Sequence, residues 1–517
     1  MALVRSLATV GGYTGISRVL GFVRDILIAA AVGTGPVADA FFVAFRLPNL
    51  FRRLFAEGAF NAAFVPLFAR RLEQEGRAAA VLFAEQSLAV LLAALLALTA
   101  AAMAGMPWLM LVLAPGFAAD PEKYDLAVQL SRITFPYLLF MALTALLGGV
   151  LNALYKFAAA AAAPIVLNVC FIAALVVVLP LTGAPGQVLA WTVAVAGAGQ
   201  FLLLVAACRR AGITLRLPRP RLTPGVRRLW ALMVPGVLSA GAMQVNLMIG
   251  TIIASLQAGA VSYLYYADRV YQLPLGLIGI ALGVVLLPEL SRKIRGGAEA
   301  EAMASLNRGL ELGMLLTLPA AVALMVIPWP IVVVLFERGA FDRAASEATA
   351  WALAAFAAGL PAYVLVKLLQ PAFFAREDMV TPLKVALATV ATNVALSLVL
   401  FWPLGHVGLA LATAVSSWLN TVLLAVGLRR RGFLAIDPRL RARLPRIAAA
   451  SLIMGAALWA GFLGLAPWFD GTVVERVLGL AILVGGGLVL YAGLALVLRA
   501  VDRAELAAAV TRRQPRP

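Results

Sequence analysis

Apolar residues fill this 517-residue chain in long runs that short polar segments interrupt at regular intervals. A run of about 20 apolar residues is long enough to cross a bilayer as a helix. We therefore predict fourteen membrane-spanning helices. They lie near residues 8–32, 37–60, 79–112, 127–152, 158–181, 187–208, 229–257, 267–290, 308–336, 349–375, 381–402, 406–428, 447–467 and 473–499.

The composition agrees with this pattern. Hydrophobic residues make up 63% of the chain and the mean hydropathy is +0.97, whereas a soluble domain is usually about 45–50% apolar. The excess apolar surface has to face lipid, so we expect an all-α membrane protein. Arg18, Arg24 and Asp25 interrupt the first apolar run, which indicates a first spanning helix rather than a signal peptide.

The polar loops alternate between a basic class and a class with few basic residues. Basic loops stay on the cytoplasmic side of a membrane, so we predict that this class and both termini are cytoplasmic. Two cytoplasmic termini require an even number of spans. The loops also explain the net charge of +18, and we expect no nucleic-acid partner. The basic class comprises 70–77, 156, 209–228, 292–295, 376–384, 429–446 and 512–516; the other comprises 33–36, 120–125, 182–187, 256–262, 337–347, 403–407 and 467–475.

A faint internal repeat divides the chain. The segment 44–46 resembles 267–269, and 66–70 resembles 288–292, both at an offset near 220 residues. Many transporters consist of two related bundles. We therefore predict a lobe of helices 1–6, a second lobe of helices 7–12, and two appended helices; a chance coincidence of prolines and arginines at loop edges is the alternative. The predicted boundaries are 1–215, 216–430 and 431–517.

Several predicted spans contain charges. A charge at the bilayer centre costs about 2.5–3.5 kcal/mol on the insertion scale, so such residues pair or face a water-filled cavity. Asp39, Arg46 and Arg53 are seven residues apart and align on one helix face, as do Arg18 and Asp25. The charged residues of the spans are Arg18, Arg24, Asp25, Asp39, Arg46, Arg52, Arg53, Glu57, Asp268, Arg269 and Lys367.

The cations outnumber the anions in this set, which predicts a central cationic cavity. Arginine's planar fork suits phosphate and diphosphate oxygens. We place Arg18, Arg24 and Lys367 deepest. The alternatives are that Arg52, Arg53 and Glu57 extend toward a cytoplasmic helix end, or that Asp268 and Arg269 form an interfacial ion pair.

Other functions fit the sequence less well. One histidine and two cysteines do not make an ordinary zinc site. A membrane enzyme acting on polyprenyl phosphates needs clustered acidic or histidine residues, and the short loops contain no D-x-x-D-type cluster. We therefore expect no catalytic residue, metal or cofactor. A drug exporter would have fewer cavity arginines, and a scaffold would not need them.

Three segments make the chain recognisable: residues 14–25, 39–60 and 265–276. They resemble the MurJ/MviN family, and the resemblance extends through all fourteen predicted spans. It implies flipping of lipid II across the bacterial inner membrane by a member of the multidrug/oligosaccharidyl-lipid/polysaccharide exporter superfamily. Another exporter of that superfamily, for a different polyprenyl-linked oligosaccharide or for drugs, is the alternative. The family fold has two six-helix lobes and two further helices associated with a prenyl-tail groove.

The resemblance also implies roles for individual residues. It places Arg18, Arg24, Arg52 and Arg269 in a central cavity as substrate-binding residues, with further basic positions at Arg46, Arg53 and Lys367. It places Asp25, Asp39 and Asp268 there as acids, and we add Ser17 and Gln272 to these as charge-pairing or gating residues. Some relatives have glutamate where this chain has Gln272, and the predicted helix 7 lacks the acid with which some bind sodium.

Together these observations predict a monomer that takes lipid II and membrane lipids as its partners. The hypothesis is alternating access, in which Arg24 and Arg269 clamp the diphosphate and Asp25 orients Arg24.

Overall fold

The computed structural model describes residues 2–54 and 60–502 of the chain. Within them the side chains of 2–8, 51–54, 235–243, 277, 279–281 and 284 are not described. The fold is 86% helical, and the described residues contain no strand. The expectation of an all-helical fold is therefore confirmed.

The described residues form nineteen α-helices in chain order, with a 3-10 turn at Pro115–Ala119 and a π turn at Ala174–Val178. They are α1 (Ala2–Val32), α2 (Pro36–Leu54), α3 (Phe60–Gln74), α4 (Gly76–Ala104), α5 (Met106–Leu113), α6 (Pro121–Thr134), α7 (Tyr137–Ala153), α8 (Ala158–Ala173), α9 (Leu179–Thr182), α10 (Pro185–Arg210), α11 (Pro224–Ala254), α12 (Ala260–Arg295), α13 (Glu299–Val326), α14 (Pro328–Phe336), α15 (Arg343–Ala357), α16 (Leu360–Phe374), α17 (Val380–Arg430), α18 (Pro438–Asp470) and α19 (Val473–Val497).

Nine helical segments of the described chain are long and apolar enough to cross a membrane. Their number and composition identify a multi-pass membrane protein. The charge-bearing helices α1, α2 and α12 are not among the nine, and the count of fourteen spans stays a prediction. The nine are Gly76–Ala104, Pro121–Ala153, Ala158–Thr182, Pro185–Arg210, Glu299–Val326, Arg343–Phe374, Val380–Arg430, Pro438–Asp470 and Val473–Val497.

Some predicted spans are divided differently in the structure. The predicted span 79–112 is interrupted at Gly105, because Pro107 starts a new helix in the first turn of α5. By contrast, the predicted spans 381–402 and 406–428 are the two parts of α17, which is kinked at Gly405, where φ is 56°. Glycine tolerates this left-handed conformation without steric cost.

Helix α3 lies where the sequence predicted the end of one span and a polar loop. Phe60, Phe64 and Phe68 repeat every four residues and so share one helix face. Their rings stack at centroid distances of 5.1 and 5.7 Å, and Phe83 of α4 stacks on Phe64 at 5.6 Å. An aromatic stripe of this kind buries one face of α3; Arg70 is exposed, and the guanidinium of Arg71 lies 4.4 Å from the centre of the Phe83 ring.

The chain divides into two compact units. The first comprises Met1–Ser262 together with Arg338–Phe341. In it α1 packs on α8, α2 packs on α6, and α10 packs on both α7 and α8. Phe41, Phe45 and Phe171 form the aromatic core at the meeting of α2 and α8, with ring centroids 5.7–6.2 Å apart. This packing brings polar residues of α1, α2, α6 and α8 together.

The second unit comprises Tyr263–Glu337 and Asp342–Pro517. Helix α13 packs on α16 and α18, and α18 packs on α19. One apolar cluster centres on Val364 and Leu368 of α16, and another joins Val322, Met454 and Leu483 of α13, α18 and α19. The predicted division at 215 and 430 stays a prediction.

Candidate functional site

Arg24 and Asp25 of α1 form a buried ion pair. Arg24 is 8% exposed and Asp25 is 3% exposed. The Nε and Nη2 atoms of Arg24 donate to Oδ1 of Asp25 at 3.0 and 2.7 Å, and Nη1 donates to Oδ1 of Asn168 at 3.0 Å. The guanidinium carbon also lies 5.5 Å from the centre of the Phe171 ring. A carboxylate, an amide and a ring thus hold this cation in one orientation.

Asn168 of α8 connects Arg24 to the preceding turns of α1. It is 4% exposed, and its Nδ2 donates to the backbone oxygen of Ser17 at 2.9 Å and lies 3.4 Å from Ser17 Oγ. Gly21 faces the same amide, since a Cβ built on it lies 3.6 Å from Asn168 Nδ2. The polar face of α1 therefore runs through positions 17, 21 and 24.

This face differs from the predicted one. The sequence aligned Arg18 with Asp25, but Arg18 is exposed whereas Asp25 is buried. A spacing of seven residues turns the helix by about 700°, so the two positions lie within about 20° of one face. They differ because the burial of α1 begins at Arg24, beyond Arg18 in the chain. Asn168 was missed; its only sequence signal is a lone amide inside an otherwise apolar run.

Asp39 of α2 is fully buried at 0% exposure. Its Oδ2 accepts from Lys123 Nζ at 2.7 Å and from the Gly259 N–H at 2.9 Å. Its Oδ1 accepts from the Ser262 N–H at 3.0 Å and from the Ser262 hydroxyl at 2.6 Å. We call these four residues the Asp39 cluster. It joins α2 to α6, to the connection between α11 and α12 at Gly259, and to the first turn of α12 at Ser262.

Lys123 is the cation that the sequence analysis did not identify. It stands in the first turn of α6, 7% exposed, with its Nζ 4.2 Å from the centre of the Phe117 ring. Its sequence signal is its position, as a lysine within a loop classed as poor in basic residues. Lys123 and Asp39 are 84 residues apart, so no local pattern relates them.

Arg46 lies on the same side of α2 as Asp39. Its Nη1 donates to the hydroxyl of Thr251 in α11, and that hydroxyl donates to Leu247 O at 2.8 Å. Both Asp39 and Arg46 thus contact α11 or the connection that follows it. The seven-residue spacing predicted this shared face. The face is packed at both positions, on α11 at Arg46 and on the segments that hold Lys123, Gly259 and Ser262 at Asp39, whereas the sequence predicts an open cavity there.

In the second unit, Asp268, Arg269 and Gln272 lie in α12. The Gln272 Nε2 donates to Oδ2 of Asp268 one turn away, and the guanidinium of Arg269 lies 4.6 Å from the centre of the Tyr265 ring. Asp268 and Arg269 are half-buried. Gln272 therefore acts as a neutral hydrogen-bond donor to the Asp268 carboxylate.

Two predicted cations are accessible at the protein surface. Arg18 and Lys367 are exposed, and within the described residues neither side chain makes a hydrogen bond or ion pair. The sequence predicts that both lie deepest in the membrane, and this depth stays a prediction. The side chains of Arg52 and Arg53 lie outside the described residues.

The chemistry available to these clusters is electrostatic. Among the described residues no group of three or more His, Cys, Asp or Glu side chains is placed to hold a metal ion. The arginines offer planar, multidentate donors. A carboxylate, an amide and an aromatic ring hold Arg24 in place, and the Tyr265 ring lies against Arg269. Such donors bind oxyanions.

The comparisons with known proteins agree with one another. The family model described as "Lipid II flippase MurJ" matches residues 28–479. A protein of Rhizobium tropici named "Probable lipid II flippase MurJ" is 46% identical over 100% of this chain and 98% of its own length. A solved structure of "Lipid II flippase MurJ, inward closed conformation" has a TM-score of 0.76 at 22% identity, covering 98% of this chain and 99% of that one.

A solved inward-facing multidrug resistance MATE family transporter of the MOP superfamily has a TM-score of 0.69 at 14% identity. It covers 80% of this chain and 94% of its own. At this identity the likeness shows a common fold.

Proposed function

The chain belongs to the lipid II flippase MurJ family, and from that premise we propose that it moves lipid II from the inner to the outer leaflet of the bacterial inner membrane. Lipid II carries its disaccharide peptide on an undecaprenyl diphosphate. The diphosphate is the part of the substrate that a cationic, arginine-rich site recognises. Transport by this route makes no covalent change, so the chain acts as a transporter rather than as an enzyme.

The observation that carries the proposal is the restraint on Arg24. Burial removes most competing water from its guanidinium, and contacts with Asp25 and Asn168 fix its plane. A fixed planar fork binds a diphosphate with little loss of side-chain entropy. Asp25 also neutralises part of the charge, which weakens binding enough for release. We assign Arg269 the same role in α12, with Tyr265 as the surface that orients it.

The remaining cations would line the path of the substrate. Arg18 and Lys367 are exposed at positions within helices, which suits contact with a hydrated headgroup. Arg46, Arg52 and Arg53 extend the basic series along α2, and Asp268 with Gln272 restrains the charge beside Arg269. The substrate thus meets basic groups along its whole route.

Alternating access is the transport mechanism that we propose. The Asp39 cluster closes one end of the path in the present conformation, because it holds α2 to α6 and to the α11–α12 connection. Opening that end requires Gly259 and Ser262 to leave the carboxylate. Arg24 and Arg269 would then release the diphosphate on the opposite side.

We also propose the finer architecture that the sequence suggests. It consists of fourteen spans, with two six-helix lobes, two further helices that accommodate the prenyl tail, and both termini in the cytoplasm. The basic loops support this orientation. The protein would act as a monomer among membrane lipids.

A lipid II protection assay tests the function. In cells depleted of their native flippase, lipid II stays on the cytoplasmic side, inaccessible to an enzyme added outside. The unaltered chain is expected to restore external cleavage, and Arg24→Ala and Arg269→Ala to lose it by at least about tenfold, since each removes a charge-assisted contact.

Arg219→Ala is the matched control, because Arg219 is exposed in the loop between α10 and α11. It should restore cleavage as well as the unaltered chain. Full activity of Arg24→Ala at equal protein level would refute the assignment of Arg24, and failure of the unaltered chain to expose lipid II would refute the function.

A further inference from the structure

The loop between α14 and α15 contacts the C-terminal end of α1 through backbone atoms. The Ala340 N–H donates to Ala30 O at 2.9 Å. Ala30 lies in the last turn of α1, where the carbonyls have no partner within their own helix. The loop therefore caps α1 with a backbone donor. Although the chain on either side belongs to the second unit, Arg338–Phe341 belongs to the first unit with α1.

Two glycines make this approach possible. A Cβ built on Gly33 lies closer than 3.0 Å to the carbonyl of Ala340, and one built on Gly339 lies closer than 3.0 Å to Ala30 O. Real Cβ atoms essentially never come that close. Each glycine faces a carbonyl of the opposite segment, so a methyl group on either one forces the loop away from α1.

A third glycine, which lies in the chain shortly before Lys123 of the Asp39 cluster, makes a similar close contact. Gly116, in the 3-10 turn before α6, donates its N–H to Ser255 Oγ at 3.2 Å. A Cβ on Gly116 would overlap the backbone of Ser255 and lie 2.6 Å from the Cα of Leu256. Ser255 ends α11, four residues before Gly259 of the Asp39 cluster.

The glycine contacts therefore involve segments that lie just before members of the Asp39 cluster along the chain. Gly33 precedes Asp39 by six residues, and the first turn of α2 connects them, with the Asp39 N–H donating to Gly35 O at 3.1 Å. Ser255 precedes the amides that bind the Asp39 carboxylate. A movement of either segment is transmitted to the cluster over less than two helical turns.

We infer that Gly33, Gly116 and Gly339 are positioning residues, which form one cooperative closure with the Asp39 cluster that opens and re-forms in each transport cycle. This inference rests on the proposed function, because a transporter with alternating access has to break and restore such contacts. The contacts of Gly33 and Gly339 with Ala340 and Ala30 join backbone atoms, so they re-form without loss of rotamer entropy. The size of these glycines therefore sets the balance between the closed and open conformations.

Hydrogen exchange of the purified full-length chain, read by mass spectrometry, tests the inference. The Ala340 amide in segment 338–342 and the Gly259 and Ser262 amides in segment 257–262 are bonded only while the closure is intact. Gly339→Ala and Gly33→Ala are expected to speed exchange about tenfold in both segments, since exchange follows local opening.

Gly183→Ala is the matched control. Gly183 has a positive φ of 66°, close to the 57° of Gly33 and the 59° of Gly339, but no atom lies within 4 Å of a Cβ built on it. Alanine therefore causes a similar backbone strain at Gly183 as at Gly33 and Gly339. Only at Gly33 and Gly339 does the added methyl group also meet a neighbouring segment. Exchange in segments 338–342 and 257–262 should be unchanged in this variant.

Gly116→Ala provides a second test that is free of positive φ, with Gly35→Ala as its control, because a Cβ at Gly35 meets open space. Gly116→Ala should again speed exchange in both segments. If Gly339→Ala is not recovered from membranes, the result for Gly116→Ala tests the cooperative closure in its place. Exchange equal to that of the controls, or faster exchange in one segment alone, would overturn the cooperative closure.

The exchange measurement contains no lipid II, so it is independent of the transport assay. Faster exchange in a chain that fails to expose lipid II would leave the closure standing and refute the proposed function. Normal exchange in the glycine variants of a chain that exposes lipid II would refute the closure alone.

Discussion

Two buried carboxylates, Asp39 in the first unit and Glu311 in the second, are neutralised in different ways. Asp39 accepts from one lysine, one hydroxyl and two backbone N–H groups. Glu311, which is 5% exposed, accepts from three arginine side chains, and one of them also binds Asp502. These arginines are Arg308, Arg439 and Arg443.

The difference lies in how far each set of donors follows a movement. Backbone N–H groups are fixed to their segment, so Asp39 loses two bonds as soon as the α11–α12 connection shifts by more than about 1 Å. Arginine side chains are long and rotate, so the Glu311 bonds between α13 and α18 survive such a shift. Asp39 therefore suits a contact that opens, and Glu311 suits a contact that stays closed.

The largest effect is expected from Asp39→Asn. It leaves the charge of Lys123 buried without its partner, which costs about 3–5 kcal/mol. The thermal unfolding midpoint of the purified chain measures this loss. The double variant Asp39→Asn with Lys123→Met should recover most of it, because it removes the stranded charge. An unchanged midpoint in Asp39→Asn would contradict the role of the cluster.

A smaller effect is expected from Glu311→Gln, about 1–3 kcal/mol. The side chains of Arg308 and Arg439 are 38% and 34% exposed, so water solvates them once the carboxylate is gone, and Arg443 keeps Asp502. Glu299→Gln is the control: Glu299 pairs with Arg376 but is 49% exposed, and its loss should stay below about 1 kcal/mol. A loss in Glu311→Gln as large as in Asp39→Asn would remove the contrast between the two sites.

The smallest effect concerns a carboxylate in the loop between α16 and α17. The backbone N–H of Thr381, then its hydroxyl and Arg431, hold the pKa of Asp378 well below its usual value of 3.8. Its stabilising contribution is therefore complete above pH 3.8 and is lost as the pH falls through the lowered pKa of the folded state. The unfolding midpoints of the unaltered chain and Asp378→Asn should differ at pH 7 and converge in more acidic buffer. If the difference between the two unfolding midpoints stayed the same at every pH, the contribution of Asp378 to stability would not depend on its charge.

The apolar runs predicted the helical fold because each spanning helix satisfies its own backbone within the run. The same runs did not predict every division of the helices. The kink at Gly405 falls in the predicted loop 403–407, but the break at Gly105, after which Pro107 starts α5, falls inside the predicted span 79–112. A single glycine in an apolar run does not by itself predict a break, because helices tolerate glycine.

Those features of the candidate site that depend on residues of a single helix were predictable from the sequence. The seven-residue spacing placed Asp39 and Arg46 on one face, and the charges in α1 and α12 marked those helices. The partners Asn168 and Lys123 were missed because they lie 144 and 84 residues from the charges they contact. Such partners follow from the packing of α1 on α8 and of α2 on α6.

The separation of Asp39 from its partners also sets an order of events during synthesis. The carboxylate reaches the membrane before Lys123, which is 84 residues later, and before Gly259 and Ser262, which are 220 and 223 residues later. At ~5–20 residues per second, the ribosome needs about 4–17 s to make the lysine and about 11–45 s to make the two amides. The nascent α2 therefore has to keep this aspartate hydrated until α6 and then α12 arrive.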